Sequence, residues 1–555
     1  MTASLPAWLP CMAQGPAAPI QLLEEKKRMR SPSRRRFLAN TTALAAAGSF
    51  SPLVLAQEKP LTIGMAAPPT TLDPHLQSSA PNNAVAMHIY DALVTNDAKS
   101  QSKPGLASSW RLIDDTTWEF TLNPKAAFSD GSPLTGEDVI ASIKRVGVLT
   151  SVAPFTTYTR SIADMSVPGP GKLIIKTHQP DPLLLNSLSR VRIISQKYAQ
   201  SPSADFNSGK AAIGTGPYLL KEYVPESRVV LVRNPHYWGP KPQFENVVLR
   251  IVTDPGARLA ALLGGDCDLI ETVPSEGITR VQQSGNKHII RGVSSRMVYM
   301  TMDEGRDVTP FATDKSGKPL PKNPFKDERV RLAFAKAINR DLIISRVMQG
   351  NAVAADQYVQ PGTFGAFTKI KPVAYDPKGA KALLAQAGYP DGFKLTIHSS
   401  NNRYINDAAI AQAVAQFLTR IGIETTVDVM PWSVYAPHIS KGEYSFMLGS
   451  WGTNTGETSN PLLGTAVSFD PKAGTGASNY GRYSNPDLDK LVLEAKSTMD
   501  DKKREALLAQ ACEIVFDNHV MLPLHNEVLV LAARKGINYE TRVDQYTLAM
   551  GITKS

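Results

Sequence analysis

The sequence predicts an α/β protein of more than one domain. Short runs rich in β-branched residues alternate along the chain with amphipathic segments of helical period, which is the pattern of mixed sheet and helix layers. The 555 residues are too many for a single core, so two or three domains are expected. Hydrophobic residues make up 42% of the chain and charged residues 20%, a composition ordinary for a globular protein in water.

Taken in order, Thr135-Gly136-Glu137-Asp138 is a helix start ahead of Ile140 and Ile143. Strands are expected at 172–177, 228–233, 247–253, 394–398 and 424–429. The Pro/Lys/Gly-rich stretch from Thr309 to Pro324 is expected to be a long surface loop. Val330, Phe334, Ile338 and Leu342 recur at i+4 and predict one amphipathic helix ending near Gly350. Asp376-Pro377, followed by Ala380, Leu383 and Leu384 and stopped by Gly388, has an N-cap, a first-turn proline and a terminating glycine. Asn485-Pro486 before Leu488, Leu491, Val492 and Ala495 repeats that design.

The formal charge of +10 is unevenly placed. Residues 1–56 carry seven of the 60 Lys/Arg and two of the 50 Asp/Glu, so the remaining 499 residues hold 53 against 48, an excess of +5. No concentrated basic stripe remains, which argues against nucleic acid as a partner. Ser33-Arg34-Arg35-Arg36-Phe37-Leu38-Ala39 opens a stretch without charge up to Ala56. Basic region, apolar region and small residues before Gln57 make an export signal, with cleavage expected after Ala56. The arginine pair before Phe-Leu resembles the twin-arginine type, whose usual Lys is Ala39 here. Gly48, Pro52 and the Ser/Thr residues from Thr41 to Ser51 argue against a membrane span. Translation is expected to start at Met29, which gives a compact basic region. The mature protein is expected to be exported and soluble.

No nucleophile elbow GxSxG and no HExxH occurs. Gly214–Lys221 (GTGPYLLK) lacks the second Gly-Lys-Ser/Thr of a phosphate loop. Six residues separate His519 from His525, which does not place them on one helix face, and satisfied structural histidines are the simpler reading. Asp266-Cys267-Asp268, between Gly264-Gly265 and Leu269-Ile270, is expected to be a helix-to-strand turn. There is no CxxC and no Cys/His cluster at zinc spacing. Cys267 and Cys512 are expected to be buried free thiols, with a disulfide in an oxidising compartment as the alternative. No enzymatic activity, no cofactor and no metal site is expected.

At 213–239 the chain runs IGTGPYLLKEYVPESRVVLVRNPHYWG. This closely resembles the hallmark segment of the periplasmic solute-binding proteins of ABC transporters, in the peptide/nickel class (family 5). Thr71-Leu72-Asp73-Pro74 with Ile89-Tyr90-Asp91-Ala92-Leu93, then Phe128-Ser129-Asp130-Gly131 with Leu134–Val139, are similar to its opening signatures. Arg331–Ile343 and Asp376–Gly388 resemble helices of its second lobe, and the likeness runs in order over residues 60–550. The resemblance implies a two-lobed periplasmic-binding-protein fold with an extra subdomain, the lobes joined by two hinge strands. It implies a first lobe at 57–290 with the inserted subdomain, a second lobe at 291–521, and a return to the first at 522–555, after a leader at 1–56. It implies ligand capture by hinge closure, with delivery to ABC permease subunits at the membrane by a monomer. The ligand would be a peptide or peptide-like solute; a nickel chelate, glutathione, a sugar or an opine is the alternative within the family, and a periplasmic enzyme or chaperone the alternative outside it.

The segment GSWGTNTGE (449–457) sets a large aromatic in a loop-like run of Gly, Thr and Asn. Dipeptide receptors have Trp-Thr-Gly-Asp there, the aspartate pairing with the peptide amine; this chain has Trp451-Gly452-Thr453-Asn454. Trp451 can supply a flat wall, but Asn454 cannot neutralise an ammonium. Glu457 is the nearby acid that could substitute. By the same resemblance Arg403 and Tyr404 would meet the ligand's carboxylate and backbone, Ser78 and Ser79 would contact it from the first lobe, and Trp432 would be a second aromatic wall or an edge of the core.

Overall fold

The computed structural model describes residues 59–555 apart from Val152 and Asn454. The export signal, the start at Met29, and Asn454 therefore lie outside the described residues.

Local signals act where they are strongest. Asp376 accepts the Gly379 N–H at the head of the helix Pro377–Gln386, and Asn485 accepts from Asp487 and Leu488 at the head of Pro486–Ser497. Thr135 and Asp138 close a reciprocal capping box on Gly136–Val148. The strands Lys172–Thr177 and Arg228–Arg233 match their expected bounds, and Lys394–Ser400 and Glu424–Met430 run slightly beyond theirs. The Asp266–Asp268 turn is as expected: Pro255–Gly264 ends on Gly265 at φ +87° and Leu269–Ile270 follows.

Two expectations are corrected. The helix expected through Leu342 stops at Ala337 (Glu328–Ala337), because Asn339 leaves helical geometry and its side chain caps the next turn by accepting from the Leu342 N–H. The stretch 309–324 is not all loop: Ala312–Thr313 pairs with the strand Lys394–Ser400 as a sheet edge.

A single twelve-stranded sheet threads the molecule. Its middle is two long antiparallel strands, Lys287–Met302 and Met521–Arg534. One half of this ribbon pairs Lys287–Val293 against 528–534; beside it lie Leu269–Ile270, Leu61–Met65 and Asn246–Ile251, mutually parallel where they join Leu61–Met65. The other half pairs 297–301 against 521–526 and continues through Phe446–Gly452 to Lys394–Ser400 and Glu424–Met430, these last three parallel.

Each half has its own cores. Ile63, Ile89, Leu231 and Leu249 fill one, with Leu259, Cys267, Val281 and Ala532 on the other face. Phe325, Phe334, Phe393, Ile410 and Phe446 fill the core of the second half, and Tyr358, Leu462, Leu508 and Cys512 a further cluster there. Trp118, Phe120, Ile143 and Leu173 form the separate core of a four-stranded sheet built from residues 107–177. The result is two lobes with a subdomain on the first. Cys267 and Cys512 are both buried, unpaired thiols.

The two long strands lose register where the lobes meet. Val293 faces Val528 and Met297 faces Asn526, so Ser294, Ser295 and Arg296 stand opposite the single residue Glu527. Such a bulge bends a strand and re-aims its side chains. Here it brings Arg296 within 3.4 Å of the Glu527 carboxylate.

Candidate functional site

In open α/β sheets, ligands settle at the carboxyl ends of parallel strands. In the first lobe these ends are Met65, Ile251 and Ile270; in the second they are Ser400, Met430 and Gly452. The two sets face the same interlobe region. A cavity of about 560 Å³ lies there, lined by Glu271 and Glu276 of the first lobe, Arg296 and Glu527 of the crossing strands, Arg403 and Ile405 of the second lobe, and Arg542 and Tyr546 of the return segment. The volume is within the range of small-ligand sites.

Arg403 is held by its backbone, not by its head group. The buried Asp407 carboxylate accepts the N–H groups of Arg403 and Tyr404 at 3.0 and 3.2 Å and the Ser400 hydroxyl at 2.7 Å, tying the loop to the start of the helix Asp407–Arg420. The exposed guanidinium lies 5.3 Å from the Trp432 ring centroid and 5.9 Å from that of Tyr404, and among the described residues it has no carboxylate partner. Tyr404 and Trp432 meet edge-on at 6.2 Å. Burial, opposed by a hydrogen bond with Ser450, raises the Tyr404 hydroxyl above its ordinary pKa. The structure thus brings together Arg403, Tyr404 and Trp432, and of the three the arginine lines the cavity.

The 451–457 segment divides. Gly452 lies against Arg296, whose guanidinium donates to Ser450 Oγ at 3.1 Å. Thr453 is buried; its N–H donates to the Ser295 carbonyl at 3.2 Å, and its hydroxyl has no partner among the described residues. Trp451 packs with Leu462, Leu463 and the tight backbone at Gly464, and its Nε1–H donates to Asn460 at 2.9 Å. It is in the lining of neither interlobe cavity. Asn460 and Leu463 border the second of these, about 440 Å³, between the subdomain loops near Tyr158 and Asp181 and the second lobe. Glu457 does not face the first cavity either. Its carboxylate is 2.6 Å from Arg504 Nη1, with both side chains under a tenth exposed.

Neither Ser78 nor Ser79 is in the cavity lining. Asn83 reaches Ser78 Oγ at 3.3 Å and Tyr546 Oη at 3.2 Å, so Ser78 joins the lining through Asn83. Ser79 precedes the helix Ala80–Ile89 without a capping bond from its side chain.

Sequence reasoning missed Glu271, Arg296, Glu527 and Arg542. Glu527 had a local signal, a carboxylate directly ahead of the apolar run Val528–Ala533; the others had none, because strands far apart in sequence bring them together. Burial raises the pKa of Glu271 and Glu527, the latter against the opposing charge of Arg296. Arg542 is spent on Asp544 at 2.7 Å and on the carbonyls of Asn96 and Asp97.

The lobes touch beyond the cavity. Asn186 Nδ2 donates to the Thr455 carbonyl at 3.1 Å, and Gly456, at φ +69°, lies against Ser100. Among the described residues no helix is long and apolar enough to cross a membrane.

A model of the bacterial extracellular solute-binding proteins, family 5 Middle, matches residues 101–470. The glutathione-binding protein GsiB of Salmonella typhi is 27% identical over 512 residues, 89% of this chain and 94% of that protein. The probable D,D-dipeptide-binding periplasmic protein DdpA of Escherichia coli K12 is 26% identical over 490 residues, 86% and 90% of the two chains. Among solved structures, HbpA2 from Haemophilus parasuis superposes with a TM-score of 0.77 at 21% identity, over 90% of this chain and all of that one.

Proposed function

The chain belongs to the family 5 bacterial extracellular solute-binding proteins, and from that premise we propose that it captures a short peptide or peptide-like solute between its lobes in the periplasm and hands it to the permease of an ABC importer. One observation carries the choice of ligand class: Arg403, an arginine without a carboxylate partner among the described residues, lines an interlobe cavity of about 560 Å³. An arginine fork matches a carboxylate in two parallel hydrogen bonds. The volume suits a molecule of a few residues, and relatives of the chain are named for binding glutathione and, as probable, D,D-dipeptides.

In this reading Arg403 takes the ligand's carboxylate and Tyr404 and Trp432 wall the site beside it. Gly452 and the unpartnered hydroxyl of Thr453 offer contacts from the second lobe, and Ser78 and Ser79 support the first-lobe side. Asn454 belongs to the same loop by sequence. Trp451 shapes that loop from behind, and Glu457 anchors it. The lobes are 57–290 with 522–555, and 291–521, and they close about the crossing strands. The protein acts as an exported monomer and leaves its ligand chemically unchanged.

Native mass spectrometry of the exported protein, purified without denaturation, followed by release and fragmentation of the bound species, tests this directly. The expected result is one or a few peptide-like masses bearing a free carboxylate. A single ligand without a carboxylate would refute the role given to Arg403. Turnover of the released ligand by the protein would refute the receptor reading.

A further inference from the structure

Glu271 follows directly on the strand Leu269–Ile270, at the carboxyl end of the first lobe's parallel strands. Its carboxylate accepts the Ala66 N–H at 2.9 Å and a hydrogen bond from Thr547. Both donors are neutral, and among the described residues no basic side chain forms an ion pair with it. Arg258 lies behind, but its guanidinium is committed to the backbone carbonyls of Val252, Thr253, Glu271 and Thr272. Burial raises the pKa of Glu271 against its two hydrogen bonds and the nearby charge of Arg258.

The other acids near the cavity differ. Glu527 has Arg296 at 3.4 Å, Glu276 is exposed at the rim, and Glu457 is paired with Arg504 away from the cavity. Across the same cavity, on the opposite lobe, stands Arg403, which makes no ion pair among the described residues and meets the Glu527 charge only through space. An acid on one lobe and a base on the other, neither in a direct ion pair among the described residues, are complementary to a zwitterion laid between them. Resting on the peptide-capture reading above, we infer that Glu271 receives the cationic group of the ligand, the task that Asn454 in the second-lobe loop cannot perform.

The test is isothermal titration of the full exported protein with glutathione, D-alanyl-D-alanine and their N-acetylated forms, on wild type and Glu271→Gln. The substitution keeps an oxygen acceptor for the Ala66 N–H and removes only the charge. Wild type should lose about tenfold or more in affinity on N-acetylation, and Glu271→Gln should bind free and acetylated forms alike. Glu271→Asp, which keeps the charge, should retain a preference for the free amine. If Glu271→Gln discriminates against acetylation as strongly as wild type, the inference is overturned and peptide capture stands. If no probe, free or acetylated, binds wild type, the peptide reading falls and the inference with it.

Discussion

The ion pair between Glu457 and Arg504 gives the most direct test of how the second lobe holds the loop that follows Gly452. Oε2 and Nη1 are 2.6 Å apart, with side chains 6% and 7% exposed. The other Glu457 oxygen accepts the Ser459 hydroxyl. Arg504 packs its guanidinium 4.3 Å from the Phe364 ring centroid, and its Nε has no partner among the described residues. Its only other carboxylate contact among the described residues is Asp501 at 3.5 Å, itself 78% exposed and screened by water. Glu457→Gln therefore leaves a buried guanidinium nearly uncompensated, which costs about 3–5 kcal/mol. Glu457→Gln with Arg504→Met removes both charges and should recover most of that loss, because a buried pair replaced by apolar packing is close to neutral. Urea unfolding of the four proteins of the cycle measures the coupling. A cost below about 1 kcal/mol for Glu457→Gln, or simple additivity in the double variant, would refute the reasoning. Binding provides the second arm: Glu457→Gln should still prefer free over N-acetylated peptides, and loss of that preference would make Glu457, not Glu271, the ammonium acceptor.

Arg403→Ala should weaken carboxylate ligands by about tenfold or more and leave C-amidated analogues unchanged in the same titration. Trp451→Ala should destabilise the second lobe by on the order of 3 kcal/mol in urea unfolding, because it empties the space against Leu463 and Gly464 and strands Asn460. Gly456→Val should weaken binding several-fold and bias small-angle scattering toward the open form. A Cβ there stands 3.0 Å from the Ser100 carbonyl oxygen, and the φ of +69° is costly for a branched residue. His75, His88, His398 and His525 are each held neutral by burial, with pKa values lowered to about 4. Their stabilising contribution is full above the unfolded value near 6.5 and is lost as pH falls toward 4. His525→Phe should lower the slope of stability between pH 6 and 4.5 by about 1.4 kcal/mol per pH unit, one proton's worth; an unchanged slope would show that His525 already binds a proton in the folded state.

What was legible in the sequence was what short-range chemistry decides. Asp376 and Asn485 cap helices because each carries its acceptor two or three residues from the N–H groups that need it. The strand Arg228–Arg233 alternates because its partners bury one face. The helix expected through Leu342 failed for the same kind of reason read too coarsely. The apolar period continues past Ala337, but Asn339 competes for the backbone and restarts the chain. At the site, Arg403, Tyr404 and Trp432 were legible through family resemblance and meet in space. Glu457 shows the limit. Its position near Asn454 suggested a substitute acid, whereas its partner Arg504, 47 residues on, decides what it does. Glu271 and Arg296 could not be found from local pattern at all, because strand pairing and a bulge assemble them; Glu527 showed only as a carboxylate at the head of an apolar run, with nothing to say that Arg296 meets it.

The distribution of these charges also bears on how closure could be tied to occupancy. When the lobes part, Arg403 and Glu271 can each be hydrated, and neither costs much. Closing an empty cleft withdraws water from the half-buried Glu271 without giving it a cationic partner, while Arg403 stays exposed, and the desolvation of an unpaired charge is unfavourable. A zwitterion of matching length supplies both partners at once and turns the same burial from a penalty into two charge-assisted hydrogen bonds. A ligand with only one of the charges leaves the other lobe's group stranded. Because a ligand shifts a conformational equilibrium only by its differential affinity for the two states, a site with one unpaired charge on each lobe makes the closed form depend on a ligand that satisfies both.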